Sequence, residues 1–186
     1  PLDPAARSPA ALANRQESTA PTRKARLLSL RHSPDARVHF YPDGAPRSAY
    51  GIRSEPDPGG PQAAALNFAG ELLAASEAKL RVVSLREDAG ATTVRVGQTL
   101  DGIAVRGGEA VLVTDAANRV TEFSSAFKSF FRRTGEWKLD ESAALGKALQ
   151  ARPIRKHTKT SVTRYWMVID REAVPIWVVE ILAEQP

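Results

Sequence analysis

The sequence predicts an α+β protein made of two small sub-domains, each a curled antiparallel sheet packed against one helix. Three observations support this class: strand-like alternation between Thr92 and Phe127, two apolar strand segments after Tyr165, and two amphipathic segments with helix start signals. With 186 residues, the chain is long enough to form a real core. The predicted sub-domains cover residues 27–131 and 134–186. Residues 1–26 are rich in Ala, Pro, Ser and Arg without an apolar period, which predicts a flexible or extended arm.

The first predicted helix covers Pro61–Ala75 and follows Gly59-Gly60. Proline is tolerated in the first turn because its missing N–H has no partner there. The stripe predicted to face the sheet consists of Leu66, Ala69, Leu72 and Leu73, with Phe68 at its edge.

The second predicted helix begins at Asp140 and ends before Arg152-Pro153. The Asp140 carboxylate can accept hydrogen bonds from the free amides of the first turn, and Leu139 is placed as a hydrophobic staple. The side chains predicted to face the sheet are those of Ala144, Leu145, Ala148 and Leu149.

Between the helices, the sequence alternates as a half-buried strand does. One face carries Val94, Val96, Gln98 and Leu100, so Gln98 lies on the apolar side. Asp101-Gly102 and Gly107-Gly108 predict tight turns, because positive φ is easiest at such residues. A strand over 109–114, a turn over 115–118 and a returning strand over 119–127 are expected next.

The C-terminal part predicts a hairpin of Tyr165–Asp170 and Pro175–Leu182. The stretch Val174–Leu182 is almost continuously apolar, which predicts a central strand with both faces covered. Trp137, Trp166 and Trp177 lie in or near these elements and are expected to anchor a core or an interface.

The residue types needed for several kinds of catalysis are missing from the sequence. There is no cysteine, and His32, His39 and His157 do not have the His-Glu-x-x-His spacing of zinc proteases. A Gly-x-Ser-x-Gly elbow and a phosphate-binding Gly-Lys-Ser/Thr loop are also absent. We therefore expect a non-catalytic protein with no cofactor and no metal. No apolar run approaches the roughly 20 residues that span a bilayer, so no membrane partner is expected.

The order of these segments resembles the propeptides of the fungalysin and thermolysin families of secreted zinc metalloproteases. The resemblance rests on the run from Gln98 through Asp101-Gly102 and Gly107-Gly108 to the turn over 115–118. It extends to five further segments, which are Arg37–Gly51 with its Gly44-Ala45-Pro46-Arg47 turn, Pro61–Ala75, Lys138–Leu149, Tyr165–Asp170 and Pro175–Leu182. The family implies cystatin-like and PepSY-like halves, a secreted bacterial protein, and a partner in the catalytic domain of the cognate protease.

Two interpretations of Gln98 remain open at this stage. Its amide either pairs with backbone groups of a neighbouring turn or contacts a partner protein. Asp101-Gly102 and Gly107-Gly108 are expected to form turns, and a loop tip exposed for docking, with Arg106 beside it, is the alternative.

The segment Arg152–Arg164 carries five basic residues and no acidic one. It is either a solvated loop or a patch formed by Arg155, Lys156 and Lys159 that steers an acidic partner, and nucleic-acid binding is the third alternative. The segment lacks the interleaved aromatic side chains that single-strand binders use, so no nucleic-acid partner is expected. The net charge of +5 and a pI near 9.8 are compatible with all three.

By resemblance, the expected function is that of a propeptide, which assists folding of the catalytic domain and inhibits it until cleavage. The exit segment Ala183–Pro186, with Glu184 and Gln185, is expected to run toward the protease cleft. The alternatives are a stand-alone secreted inhibitor or binding module of the same fold, and a basic adaptor for nucleic acid or an anionic surface.

Overall fold

The computed structural model describes residues 36–42, 46–72, 77–129, 132–151 and 157–183. The α+β class is confirmed, because strands predominate and two helices accompany them. The elements are, in chain order, β1 Arg37–Phe40, β2 Pro46–Tyr50, α1 Pro61–Leu72, β3 Lys79–Asp88, β4 Ala91–Leu100, β5 Ile103–Thr114, β6 Val120–Ser125, β7 Arg132–Arg133, α2 Glu141–Ala151, β8 His157–Ile169 and β9 Glu172–Ala183. None of the helices in these ranges is long and apolar enough to cross a membrane.

The chain divides into two compact units, and each unit draws on three stretches of sequence. Among the described residues, the first unit contains those up to 72, then Val82–Val96 and 110–126, and the second contains 77–81, Gly97–Glu109 and those from Phe127 onward. The strands β3, β4 and β5 are 10 to 12 residues long, and each contributes residues to both units. The contiguous ranges 27–131 and 134–186 stay predictions as folding domains, and the predicted arm over residues 1–26 lies outside the described residues.

In the first unit, β2 pairs antiparallel with β1 and β6, and β6 pairs antiparallel with β5. Helix α1 packs on this sheet through Phe68, whose ring lies 5.6 Å from that of Phe123. Of the stripe predicted on α1, Ala69 is buried, as is Phe68 at its edge. Leu66 and Leu72 are only half-buried, and Leu73 lies outside the described residues. The other buried residues of α1 are Ala64 and Ala65. Three alanines allow the helix backbone to approach the sheet closely.

The two glycine-containing pairs of the central segment differ in conformation. Asp101 and Gly102 form the predicted turn between β4 and β5, with φ of 50° and 79°. The turn predicted at Gly107-Gly108 is wrong, because both residues lie inside the continuous strand β5. Gly107 has a φ of 67°, the left-handed conformation found in the glycine of a strand bulge. The turn over 115–118 is present, and the Asp115 Oδ1 atom accepts hydrogen bonds from the amides of Ala117 and Arg119.

In the second unit, β8 and β9 form a long antiparallel hairpin around a turn at Asp170-Arg171. Helix α2 packs against both strands and begins as predicted, with the Ala143 amide donating to the Asp140 carboxylate at 2.8 Å. The core of this unit is the cluster Leu100, Val105, Trp166 and Ala173, with Ile103, Trp137 and Val168 packed around it.

The prediction of a β9 strand covered on both faces is wrong. Leu182 is 59 % exposed, and the residues between Val174 and Val179 are only half-buried. One face of the hairpin packs into the core cluster through Trp166 and Ala173. The parallel pairing of β9 with β7 is confined to Glu172 and Ala173.

Candidate functional site

Gln98 is fixed by the backbone of Lys128. It lies on β4 and is 1 % exposed. Its Nε2 atom donates to the Lys128 carbonyl at 3.0 Å, and its Oε1 atom accepts from the Lys128 amide at 2.7 Å. Both polar atoms of the buried amide are therefore satisfied. The partner is a segment 30 positions downstream rather than the neighbouring turn. A contact between Gln98 and a partner protein would require the Lys128 segment to move away first.

Gly108 is required by the position of this amide. A Cβ atom added at residue 108 would overlap Gln98 Oε1 and would lie 3.2 Å from Gln98 Cδ. The side chain of Lys128 passes over the adjacent Gly107, with its Cε atom 3.7 Å from where a Cβ would be. The glycine pair therefore leaves space for the Gln98–Lys128 bonds, a role that differs from the turn expected from the sequence.

Asp101 belongs to a small charged cluster on the exposed side of the second unit. Its carboxylate accepts a hydrogen bond from the Arg133 guanidinium, and the same guanidinium lies 3.5 Å from the Glu77 carboxylate. Gly102 completes the turn and is exposed. The structure therefore brings Asp101 together with Arg133 and Glu77. These two partners of Asp101 were not predicted from the sequence. The pairing joins residues 32 positions apart, so no local pattern could have shown it.

Arg106 stacks on an aromatic ring. Its guanidinium carbon lies 5.8 Å from the centre of the Tyr165 ring, and the residue is exposed. Cation–π stacking restricts the guanidinium and leaves its N–H donors available. Arg106 has no ion pair with any acidic side chain in the described ranges.

Arg164 is a second arginine that stacks on aromatic rings. It was not among the binding residues predicted from the sequence. Its guanidinium carbon lies 4.9 Å from the Trp177 ring centre and 5.8 Å from that of Trp137. Both indoles are held in place because Trp177 Nε1 donates to the Leu139 carbonyl and Trp137 Nε1 donates to the Ile176 carbonyl. Tryptophan and arginine are enriched among the residues that dominate binding energy at interfaces.

The predicted basic patch is only partly within the described residues. Arg155, Lys156, Glu184 and Gln185 lie outside them, as does the Gly44-Ala45 part of the first predicted turn. Lys159 lies in β8 opposite Leu182. The interpretation of Arg152–Arg164 as a loop is wrong from His157 onward, because these residues form the start of β8.

Arg132 and Glu172 form an exposed ion pair where β7 meets β9. The Arg132 Nε atom donates to the Glu172 carboxylate at 2.7 Å. This hydrogen bond is the main reason that the pKa of Glu172 is lowered, and the Arg132 charge and a hydrogen bond from Thr134 act in the same direction. The ion pair links β7 to β9 of the hairpin. Within the described ranges, no group of three or more His, Cys, Asp or Glu side chains could hold a metal ion.

Residues 78–127 match the Fungalysin/Thermolysin Propeptide Motif. The resemblance inferred from Gln98 and the turns that follow it is confirmed over this part of the chain. No curated protein sequence matches the chain significantly. Among solved structures, the chain is similar to the Bacillus megaterium YpeB C-terminal domain, with 13 % identity over 90 % of this chain and 88 % of that one and a TM-score of 0.41.

The propeptide motif contains Gln98, Asp101, Gly102 and Arg106, and it ends one residue before Lys128. Gln98 of the motif therefore binds the first residue that follows the motif. The propeptide motif is a non-catalytic region of protease precursors.

Proposed function

We propose that the chain is the propeptide of a secreted zinc metalloprotease, and that it assists the folding of the catalytic domain and inhibits it until cleavage. The match of residues 78–127 to the propeptide motif carries the proposal. A domain that binds the native protease stabilises it by mass action. Tethering raises the effective concentration to about the millimolar range, so inhibition weakens once the tether is cut.

The first test is the sequence of the complete gene product. The proposal expects a His-Glu-x-x-His zinc site in a catalytic domain of the same polypeptide. The second test uses that catalytic domain after processing and purification. Added in trans, this chain should inhibit its proteolysis and should raise the yield of active protease recovered from denaturant. A chain that does neither is not the propeptide of that protease.

The basic residues Arg155, Lys156 and Lys159 are proposed to steer this association. Charges at the rim of an interface act mainly on the association rate. Arg155→Glu with Lys156→Glu should therefore slow association more than it speeds dissociation. The matched control is Lys79→Glu with Arg81→Glu, which changes the charge equally at two exposed residues of β3.

Salt distinguishes a steering patch from a solvated segment. The association rate of the wild-type chain should fall between about 50 and 500 mM salt, where the screening length shortens from over ten ångströms to a few. A flat rate over this range would assign no steering role to the three residues. The exit segment with Glu184 and Gln185 is proposed to lie in the substrate groove by strand addition.

A stand-alone secreted inhibitor of the same fold is the second candidate function. The propeptide motif is compatible with it, since binding a protease does not require the protease to be on the same chain. Inhibition of mature thermolysin by this chain, in a gene product without the zinc site, would favour this candidate. Binding to nucleic acid or to an anionic surface is a distant alternative that rests on the net charge of +5 alone.

A further inference from the structure

The β8–β9 hairpin has one covered face and one open face. Trp166 and Ala173 are buried on the covered face, in the core of the second unit. Side chains alternate along a strand, so their neighbours Met167 and Val174 lie on the other face. We call this second face the open face. Its apolar side chains are those of Tyr165, Met167, Ile169, Val174, Ile176, Val178 and Leu182.

The open face is apolar although water reaches it. Met167 is 40 % exposed and Ile169 is 47 % exposed. An antiparallel sheet with one solvated face normally has polar side chains there. This face includes Ser161, Thr163, Glu172 and Glu180, but its positions from Tyr165 to Ile169 and from Val174 to Val178 are all aliphatic or aromatic. The register places Tyr165 opposite Ile176 and Met167 opposite Val174, so these side chains are adjacent across the two strands. A contiguous exposed patch of this kind marks an interaction site.

Charged groups border the open face. Arg106 stacks on Tyr165 at one side, and its guanidinium has no acidic partner in the described part of the chain. At the ends of β9, Glu172 is paired with Arg132 and Glu180 accepts a hydrogen bond from the Ser161 hydroxyl. Arg106 is therefore positioned to meet a carboxylate of another molecule. An apolar centre with a polar border is the usual composition of a protein interface.

We infer that the protease catalytic domain docks on the open face of this chain. The matching surface of that domain has an apolar patch, and a carboxylate at the border of the patch pairs with Arg106. This inference rests on the proposed function and adds the surface through which the chain binds the protease. The charge of the chain favours such a partner over a second copy, because two chains of net charge +5 repel each other and an acidic surface attracts them.

A charge placed in the apolar centre tests the inference. Met167→Asp puts a carboxylate where the partner would bury a thioether, and Val83→Asp is the matched control. Val83 lies on β3 in the first unit and is 45 % exposed, so it gains the same charge in a similar environment. Both variants are first checked by circular dichroism and urea unfolding. Binding to the purified mature protease is then measured by inhibition in trans and by surface plasmon resonance.

The expected result is that Met167→Asp weakens binding by about tenfold or more, because an unpaired charge is costly to bury. Val83→Asp should bind like the wild-type chain. Arg106→Gln should reduce the association rate and its salt dependence, as expected for a charge at the border.

Several outcomes would overturn the inference. If Met167→Asp inhibits as strongly as the wild-type chain, the open face is not the docking surface, although the proposed function stands. If the wild-type chain does not bind the protease, both the proposed function and the inference fail. Self-association of the wild-type chain that Met167→Asp abolishes, measured by sedimentation, would assign the face to a second copy. Binding to phosphatidylcholine–phosphatidylglycerol vesicles that the same change abolishes would assign it to a lipid surface.

Discussion

Gln98 binds Lys128 through both backbone polar groups of that residue, and it does so from a position where water barely reaches it. The two bonds close a stretch of 30 positions that includes β5 and β6. The amide therefore fixes where the chain goes after the propeptide motif.

Removing the polar atoms of Gln98 should destabilise the second unit. Gln98→Leu keeps a similar volume but leaves the Lys128 amide and carbonyl without these partners, which we expect to cost about 2 kcal/mol. Tryptophan fluorescence in urea measures this unit selectively, because all three tryptophans lie in it. Gln150→Leu changes an exposed glutamine of α2 in the same unit and should shift the midpoint little. Equal midpoints for the two variants would contradict the role given to the Gln98 bonds.

Alanine at residue 108 should be harmful for a steric reason. A Cβ atom there would overlap Gln98 Oε1, so Gly108→Ala should lower the free energy of unfolding by about 1–3 kcal/mol. Gly146→Ala is the matched control, since it lies in α2 with no atom within 4 Å of the added Cβ, and it should stabilise the chain by up to about 1 kcal/mol. Combining Gly108→Ala with Gln98→Ala should cost less than the sum of the two single changes. Additive costs would show that the two sites do not interact.

The tryptophans should differ in their contribution to stability. Trp166 is 5 % exposed, and its Nε1 atom donates to the Leu100 carbonyl at 3.1 Å. Trp166→Ala should therefore cost about 3–5 kcal/mol. Trp177 is half-buried beneath Arg164, so Trp177→Ala should cost less, about 3 kcal/mol at most. Urea midpoints, followed by circular dichroism, measure the loss of stability in both variants. A larger loss for Trp177→Ala than for Trp166→Ala would contradict the expectation that the more buried tryptophan contributes more. Trp166→Phe, which keeps most of the bulk, separates packing from the hydrogen bond.

The Arg132–Glu172 pair should make stability depend on pH in the acidic range. The Arg132 side chain holds the pKa of Glu172 in the folded state below the ordinary glutamate value of 4.5. The contribution of this carboxylate is therefore complete above that value and is lost as the pH falls through the folded-state pKa. Because the pair is exposed, the effect is small. Urea midpoints between about pH 2 and 6 should fall less steeply for Glu172→Gln than for the wild-type chain. Glu180→Gln removes a carboxylate that has a hydroxyl partner instead of a guanidinium, and a slope changed as much by it would contradict this assignment.

Local sequence patterns were sufficient where the structure depends on neighbouring residues. The alternation from Val94 to Leu100 predicted the buried face of β4, and Asp140 predicted the start of α2. Both follow from the geometry of a single strand or a single helix turn. The same local information predicted the turns at Asp101-Gly102 and Asp115–Asn118.

Other features depend on residues that are distant in sequence, and these were not predicted. A glycine with positive φ is common to turns and to strand bulges, so Gly107 alone could not show that β5 continues through it. The apolar run of β9 predicts burial, but which face of the hairpin is covered depends on residues distant in sequence, such as Leu100 and Val105, which pack with Trp166 and Ala173. The Lys128 partner of Gln98 and the Tyr165 partner of Arg106 come from other parts of the chain.

The division of the chain into interleaved stretches determines how the chain can be divided or cut. The strands β3, β4 and β5 each leave one unit and enter the other, so the chain passes between the units three times in this region. Neither unit is therefore a contiguous cassette that a deletion, a gene fusion or recombination could transfer intact. A single proteolytic cut within one of these strands interrupts a strand that contributes to both units, so we expect it to destabilise both.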